Sequence, residues 1–345
     1  MKFREHFLRM LEYTRPHQSV AEEAYIEEYI RPYCDYTDEF GNLICATVDN
    51  PRIMFSSHTD TVHNKSGKQK LNVHKDKVVT SDATCLGADD TVGNYLMISM
   101  IDKEIPGLYI FHRGEERGGL GSRFIAEETP DLVKSIDMAI ALDRKSNNDV
   151  VQYQNGSRCC SEKFAKELAS VVGMTGGDEI GSFTDTANYV DLITECSNIS
   201  VGYWDQHSKR ERCDLHFIAQ LEDILLHADW DGLKAHGYEP EWERGYSVYT
   251  GGFSHGGYST GFQHDPYWDL YDLCQKEPRI VAKFLAEAGI TEDDILYTKM
   301  EVNGNGIDSM SYEQRHFPEE STEIQPYVSP TDRIMVDQYG RYIFK

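Results

Sequence analysis

Short apolar segments alternate with amphipathic segments of helical length along residues 1–235. The segments with strand character are 43–48, 53–57, 108–111, 138–142 and 199–204. Helical periodicity covers two segments within 1–33, and then 91–103, 162–172 and 216–234. This alternation is typical of an α/β fold whose central sheet is mostly parallel and is flanked by helices. In such sheets, functional residues are expected beyond the carboxyl ends of the strands.

The composition changes near Lys234 and divides the chain into three predicted parts. Residues 1–235 form the predicted α/β domain. Residues 237–262 contain seven Gly and several Tyr with little apolar periodicity, so 236–265 is predicted to be a Gly/Tyr-rich linker or arm. Residues 266–345 are predicted to be a small appendage with two short helices and a final hairpin.

The charge balance limits the partners that the chain can have. It carries 34 Lys and Arg residues against 58 Asp and Glu residues, a formal net charge of −24. Nucleic acid and anionic membranes are disfavoured as partners because both are bound mainly through basic side chains, whereas divalent cations suit such a chain. No apolar run reaches the roughly 18 residues of a membrane span, and the amino-terminal segment lacks a signal-peptide core, so a cytoplasmic location is expected.

Residue types that ligate metals follow the ends of the predicted strands. His58 follows the second strand segment, and Asp60 can accept its imidazole N–H and fix its tautomer. Glu115 and Glu116 follow a later strand in a Gly-rich turn, where one carboxylate can bind metal and the other can accept a proton from water. Taken singly, each motif also fits an ordinary solvated or charged turn.

Further ligand types complete this order. Asp89 and Asp90 precede a predicted helix, where N-capping is the ordinary interpretation. Asp143 directly follows an apolar strand, and His207 follows the last strand segment. The ordered series of His, Asp, Glu-Glu, Asp and His is hard to obtain by chance. Nitrogen and oxygen ligands without thiolate suit two Zn²⁺ ions, with Co²⁺ or Mn²⁺ as alternatives.

The segments HTDTV, GADDTVGN, GEERGG and ALD, together with the late His, resemble the co-catalytic dinuclear zinc exopeptidases. This clan includes peptidase T, the bacterial leucyl aminopeptidases and glutamate carboxypeptidase. The resemblance covers roughly residues 1–235 and is specific as an ordered set. It implies a three-layer α/β domain with two metal ions.

The resemblance also implies a role for each residue. Asp89 would bridge both metals, Asp60 would orient His58, and Glu115 would be the general base. The peptide joining Asp89 to its neighbour Asp90 is often strained in this clan. The implied metal ligands are His58 and Asp143 for the first ion, Glu116 and His207 for the second, and Asp89 for both.

The spacing of the last ligands favours one branch of the clan. The 64 residues from Asp143 to His207 leave no room for the inserted lid of peptidase T and glutamate carboxypeptidase, so the chain is predicted to be closest to the lidless single-domain aminopeptidases. The basic residues Arg144, Arg210 and Arg212 are candidates for binding a substrate carboxylate. A solvated loop is the alternative for the basic cluster after His207.

We therefore expect a zinc-dependent metallohydrolase that acts as an aminopeptidase on short peptides. A carboxypeptidase or an N-acyl amino acid deacylase with the same site is the first alternative. A non-catalytic binding protein on this scaffold is the second, although the complete set of ligands and the intact Glu115 argue against it. The sequence does not determine the oligomeric state.

Overall fold

A computed structural model describes residues 3–75, 77–154, 157–176 and 180–237, together with 281–282, 285, 334–336 and 342–344. The chain divides into two units, residues 1–246 with 328–345, and residues 247–327. Most of the predicted linker (236–265) and appendage (266–345) lies outside the described residues. Of the second unit, 281–282 and 285 are described, and they are helical.

The helices and strands of the described residues follow the predicted alternation. The helices are α1 (Phe3–Leu11), α2 (Val20–Tyr25), α3 (Ala88–Asp102), α4 (Leu120–Glu128), α5 (Glu162–Val171) and α6 (Leu215–His227). A π-helical turn continues α2, and 3₁₀ turns occur elsewhere; these are Ile26–Ile30 (π), Arg31–Tyr33, Glu115–Arg117, Pro130–Leu132 and Asp185–Tyr189. The strands are β1 (Tyr13–Thr14), β2 (Tyr36–Thr37), β3 (Leu43–Ala46), β4 (Ile53–His58), β5 (Gly67–Lys68), β6 (Leu71–His74), β7 (Val78–Ser81), β8 (Leu108–His112), β9 (Met138–Arg144), β10 (Tyr153–Gln154), β11 (Ser157–Arg158), β12 (Ile180–Gly181), β13 (Glu195–Ser200), β14 (Tyr203–Trp204), β15 (Arg212–Asp214), β16 (Ile334–Val336) and β17 (Tyr342–Phe344).

The central sheet has six strands in the order β13-β9-β4-β8-β3-β2. Neighbouring strands from β13 to β8 are parallel, and β3 and β2 continue the sheet in the antiparallel sense. The predicted mostly parallel sheet is therefore confirmed. A second, antiparallel sheet has the order β14-β15-β7-β6.

Side chains of alternating strand residues pack against helices on both faces of the central sheet, which gives three layers. On one face Phe55, Tyr109 and Ile140 belong to a buried cluster that includes residues of α1, α3, α5 and α6. On the other face Met54 and Ile110 belong to a cluster with residues of α4 and the Asp185–Tyr189 turn; the turn supplies Tyr189. Strand side chains alternate between faces because the side-chain period of a strand is two residues.

Two predicted elements differ from the structure. The segment 199–204 is not one strand: β13 ends at Ser200, and Tyr203–Trp204 pairs in the second sheet instead. The helix expected over 216–234 is α6, which the Asp214 side chain caps at its start and which ends at His227. Local periodicity does not mark these boundaries because hydrogen bonds to distant strands and backbone turns set them.

The final hairpin predicted from the sequence is present as an antiparallel pair. Strand β16 pairs with β17 so that Met335 lies opposite Ile343. Among the described residues, no helix is both long enough and apolar enough to cross a membrane.

Candidate metal centre

The parallel strands bring three predicted site residues to one edge of the central sheet. His58 is the last residue of β4, Asp143 lies near the end of β9, and Glu115 follows β8 by three residues. Strand β4 lies between β8 and β9, and all three run in the same direction. Their carboxyl ends therefore meet, and the residues that follow them lie close together.

His58 lies at the centre of a group of carboxylates. Its Nε2 atom is 3.0 Å from Asp89 Oδ1, 3.6 Å from Asp143 Oδ1 and 3.9 Å from Glu115 Oε2. His58 and its Nδ1 partner Asp60 are both buried. Ligand atoms of His58, Asp90 and Asp143 lie within 4.8 Å of one another, and Asp89 contacts the same imidazole.

His207 forms a second group around the same aspartate. Its Nε2 atom is 3.2 Å from Asp89 Oδ2 and 3.0 Å from Glu116 Oε1. Asp89 thus offers one carboxylate oxygen to each histidine. The structure brings together all five residues predicted as ligands, and Asp89 lies between the two groups as a bridging ligand must.

The backbone around Asp89 departs from regular helix. The peptide between Asp89 and Asp90 is cis, and both residues have non-helical dihedral angles at the start of α3. Gly93 allows this helix to approach β9 closely, because a Cβ atom there would lie 2.2 Å from the Leu142 carbonyl oxygen and 2.4 Å from Asp90 Oδ2. Asp90 accepts a hydrogen bond from the Gly93 amide at 2.8 Å.

Asp60 performs the expected orientation of His58 with a different atom. The main-chain oxygen of Asp60 lies 3.0 Å from His58 Nδ1, whereas its carboxylate Oδ1 is 3.6 Å away. That carboxylate instead accepts the amides of Gly114 and Glu115 at 3.0 and 3.1 Å. The Asp60 carboxylate therefore supports the turn that carries Glu115 and also stays within ion-pair distance of the His58 imidazole.

The electrostatics of the cluster favour a bound cation. Burial raises the pKa of Glu116 to about 7, and the neighbouring Asp89 carboxylate adds to the effect. Burial, together with nearby carboxylates, also raises the pKa of Glu115 and of Asp143. Buried carboxylates at this separation resist ionising together unless a countercharge is present. A divalent cation supplies that charge, so the residues present fit a metal site.

The histidines respond in the opposite sense. Burial lowers the pKa of His207, but the carboxylates of Glu116 and Asp89 outweigh burial and raise it to about 12. The pKa of His58 is likewise raised by Asp143, Asp60 and Asp89 against the effect of burial. Both imidazoles are therefore surrounded by carboxylates. Such surroundings also attract a cation.

Three residues that the sequence did not single out hold Asp143 in place. Thr184 donates its hydroxyl to Asp143 Oδ2 at 2.7 Å, and the Tyr203 hydroxyl lies 3.1 Å from Oδ1. The Asn198 side chain accepts the Asp143 amide at 3.0 Å. No spacing pattern connects these residues, because each comes from a different segment of the fold.

Glu211 is the most distinctive residue that the sequence interpretation missed. It lies within the basic cluster after His207, yet its side chain is buried and its carboxylate accepts four consecutive backbone amides, those of Leu86, Gly87, Ala88 and Asp89. The only available signal was an acidic residue among basic ones four positions after a candidate ligand.

The arginines predicted to bind a substrate carboxylate have other described contacts. Arg144 is largely buried, with its guanidinium 3.6 Å from Asp149 and 3.3 Å from the Ile180 carbonyl oxygen. Arg212 forms an ion pair with Asp205. Arg210 is exposed at the surface.

Two other histidines lie in buried hydrogen-bonded positions. His112 contacts the Tyr189 hydroxyl at 2.7 Å and Ser56 Oγ at 3.1 Å. His63 contacts Thr61 Oγ1 at 2.8 Å and the Cys85 carbonyl oxygen at 3.1 Å. Neither is among the groups of residues whose atoms converge for a metal ion.

Solved structures share this fold at low sequence identity. The TET1 peptidase of Pyrococcus horikoshii aligns with 18% identity and a TM-score of 0.52 over 65% of this chain and 98% of that chain. A tripeptidase of Staphylococcus aureus gives 17% and 0.51 over 65% and 96%, respectively. A TET aminopeptidase of a marine sediment thaumarchaeote gives 14% and 0.53 over 66% and 96%.

No protein-family model matches the sequence, and no curated protein is significantly similar to it. The structural neighbours define the fold class as that of the TET- and PepT-type peptidases. The chain therefore shares the α/β fold of these peptidases, which is the fold class that the sequence predicted.

Proposed function

We propose that this protein is a metal-dependent aminopeptidase that hydrolyses short peptides and uses two divalent cations to do so. Zinc is the metal that we propose. The observation that carries the proposal is the Asp89 carboxylate, which lies 3.0 Å from His58 and 3.2 Å from His207 through different oxygens. One ion would be held by His58, Asp89 and Asp143. The other would be held by Asp89, Glu116 and His207.

The proposed chemistry divides between the cations and one carboxylate. When bound, a pair of divalent cations supplies Lewis acidity at the scissile carbonyl and lowers the pKa of water. Glu115 is the general base, with its carboxylate 3.9 Å from His58 Nε2 and its side chain 12% exposed. It takes the proton of the attacking water and donates it to the leaving amine.

The charge of the site supports recognition of a free amino group. Carboxylates outnumber the described cations around the cluster, and the guanidinium groups of Arg144 and Arg212 are paired with Asp149 and Asp205. Two bound divalent cations would offset the ligand carboxylates, so recognition of a free amino group is inferred from the guanidinium groups, which are paired with carboxylates of the protein itself. Structural neighbours named as a tripeptidase and as aminopeptidases support the same choice.

The test compares one tripeptide in three forms after loading the protein with zinc. We expect cleavage of the free peptide and of its carboxyl-terminal amide, and loss of cleavage after N-acetylation. Amidation is the matched control because it removes charge at the other end of the substrate. Faster hydrolysis of the acetylated form would replace the proposal with a carboxypeptidase or deacylase activity.

A further inference from the structure

The carboxylate of Glu211 is a buried acceptor for consecutive backbone amides. Its residue is 2% exposed. Oε2 accepts the amides of Leu86 and Gly87 at 2.8 and 3.0 Å, and Oε1 accepts those of Ala88 and Asp89 at 2.8 and 3.2 Å. We call this arrangement the Glu211 clamp. The first amides of a helix lack intrahelical partners, and here a side chain from far along the chain supplies the acceptors.

The clamp joins the two chain segments that carry ligands of one proposed metal position. Glu211 comes four residues after His207, and the clamped amides end at Asp89 itself. The segment with Asp89 follows β7, and the segment with His207 leads into β15, its neighbour in the second sheet, where Cys213 lies opposite Val79. The clamp therefore holds these two segments together beside the sheet to which both connect.

The segment around His207 has few other buried anchors. The His207 side chain is 33% exposed, and its backbone has a φ of +60°, in the left-handed region that non-glycine residues rarely adopt. The adjacent ion pair between Asp205 and Arg212 is partly exposed, so it contributes little to holding the loop. The buried clamp is the contact that fixes this loop relative to Asp89.

We propose that Glu211 is a positioning residue that sets the placement of Asp89 relative to His207. It thereby sets the affinity of the metal position formed by Asp89, Glu116 and His207. This inference rests on the dinuclear centre of the proposed function. It adds a specific dependence of one metal position on a residue that does not itself ligate the ion.

The experiment measures zinc affinity in competition with a chelator of known strength, using the metal-free full chain. In Glu211→Gln, the amide nitrogen of Gln cannot accept a hydrogen bond, so one pair of clamped amides loses its partner. We expect one zinc equivalent to bind about 10- to 100-fold more weakly than in the wild type, the usual effect of losing a residue that supports a ligand. The equivalent held with His58 should lose less affinity, because Glu211 is linked to that position through Asp89 alone and to the other through both Asp89 and His207.

A second variant shows which of the two zinc equivalents is weakened. Asp143→Ala should weaken chiefly the equivalent held with His58, so the equivalent that Glu211→Gln weakens more should be the one that Asp143→Ala leaves intact. Peptidase activity provides a further readout. In Glu211→Gln, saturating zinc should restore kcat while KM stays unchanged, because Glu211 does not touch the substrate.

Glu195 provides a matched control elsewhere in the fold. It is fully buried and accepts the amides of Ser161, His236 and Gly237 at 2.6, 2.9 and 2.8 Å. It begins β13, opposite Met138 at the start of β9, and so lies at the end of these strands away from the ligands. Glu195→Gln should reduce thermal stability in the way that Glu211→Gln does, yet bind both zinc equivalents with wild-type affinity.

The outcomes separate this inference from the proposed function. A wild-type chain that binds fewer than two zinc ions contradicts the dinuclear centre itself. Two tight equivalents in the wild type and unchanged affinities in Glu211→Gln overturn the role of the clamp alone. Equal loss of zinc in the Glu211 and Glu195 variants also overturns it, because the effect would then be general destabilisation. If Glu211→Gln fails to fold, Glu211→Asp and Glu195→Asp replace the pair under the same criteria.

Discussion

Asp60 shows how one residue can organise two neighbours through different atoms. Its main-chain oxygen lies 3.0 Å from His58 Nδ1, and its carboxylate accepts the amides of Gly114 and Glu115. Because the His58 contact is to the main chain, changing the side chain of Asp60 should disturb the Glu115 turn more than the imidazole. The backbone of Glu115, the proposed base, is thus held by the buried Asp60 carboxylate.

Glu115→Gln tests the general base. The variant should retain zinc, because Glu115 is not among the proposed ligands, but it should lose about 10²- to 10⁴-fold in kcat because Gln cannot accept the water proton. The measurement pairs steady-state peptide hydrolysis with elemental analysis of the same sample. Hydrolysis at the wild-type rate would assign the base elsewhere.

His63 should make stability depend on pH through its burial. Burial lowers its pKa to about 4, with the nearby Arg15 charge contributing, against an ordinary value of about 6.5. The unfolded chain therefore binds more protons between these values, so the free energy of unfolding should fall as pH decreases from about 6.5 to about 4. The shift corresponds to roughly 3 kcal/mol at most.

Urea unfolding of the metal-free chain at several pH values measures this effect. His63→Gln removes the titrating group, so its unfolding free energy should fall less steeply than that of the wild type over the same window. Parallel curves for the two proteins would show that His63 does not contribute. Above about pH 6.5, His63 should contribute no pH dependence to the free energy of unfolding of the wild type.

At the level of elements, the contact between α3 and β9 fixes the position of the bridging aspartate. Helix α3 begins with Asp89 and Asp90, while β9 carries Asp143 near its end. The close approach at Gly93 places the helix start against the strand that supplies another ligand. The separation of the ligands therefore depends on backbone packing as well as on the side chains.

Gly93→Ala tests this packing. The added methyl group would lie 2.2 Å from the Leu142 carbonyl oxygen, so the helix must move away from β9. We expect a loss of about 1–3 kcal/mol in the free energy of unfolding, the usual range for overpacking, together with a reduced zinc content. Asp102→Ala, at the exposed end of the same helix, is the control and should change neither quantity appreciably.

At the scale of the whole molecule, a small part of the negative charge of the chain is held in one cluster around two histidines. The formal net charge is −24, and buried carboxylates converge on the two histidines. Metal binding should therefore stabilise the folded state, because a cation compensates charges that the fold holds close together. A ligand at 100 times its dissociation constant stabilises by about 2.7 kcal/mol per site.

Removing the metal should accordingly lower the melting temperature. We expect a chelator to shift the thermal unfolding of the zinc-loaded wild type to lower temperature, and to shift that of Asp89→Ala less, because this variant lacks the shared ligand. The comparison uses the same chelator concentration for both proteins. An unchanged melting temperature in the wild type would contradict a stabilising metal centre.

The sequence by itself determined the fold class and the order of the proposed ligands. Apolar periodicity is local, so β4, β8 and β9 could be predicted from their own residues. Because the carboxyl ends of parallel strands meet at one edge, His58, Glu115 and Asp143 could be expected to lie together before any coordinates were known. The resemblance carried by the ordered motifs likewise predicted Asp89, Glu116 and His207 as ligands.

Only the tertiary structure decided which groups support those ligands. It placed His207 beyond a short strand of the second sheet, gave the Asp60 carboxylate to backbone amides and paired Arg212 with Asp205. It also brought Glu211 to amides more than 120 residues earlier in the chain. A hydrogen bond over that separation depends on the path of the whole backbone, and no local pattern of residues records that path.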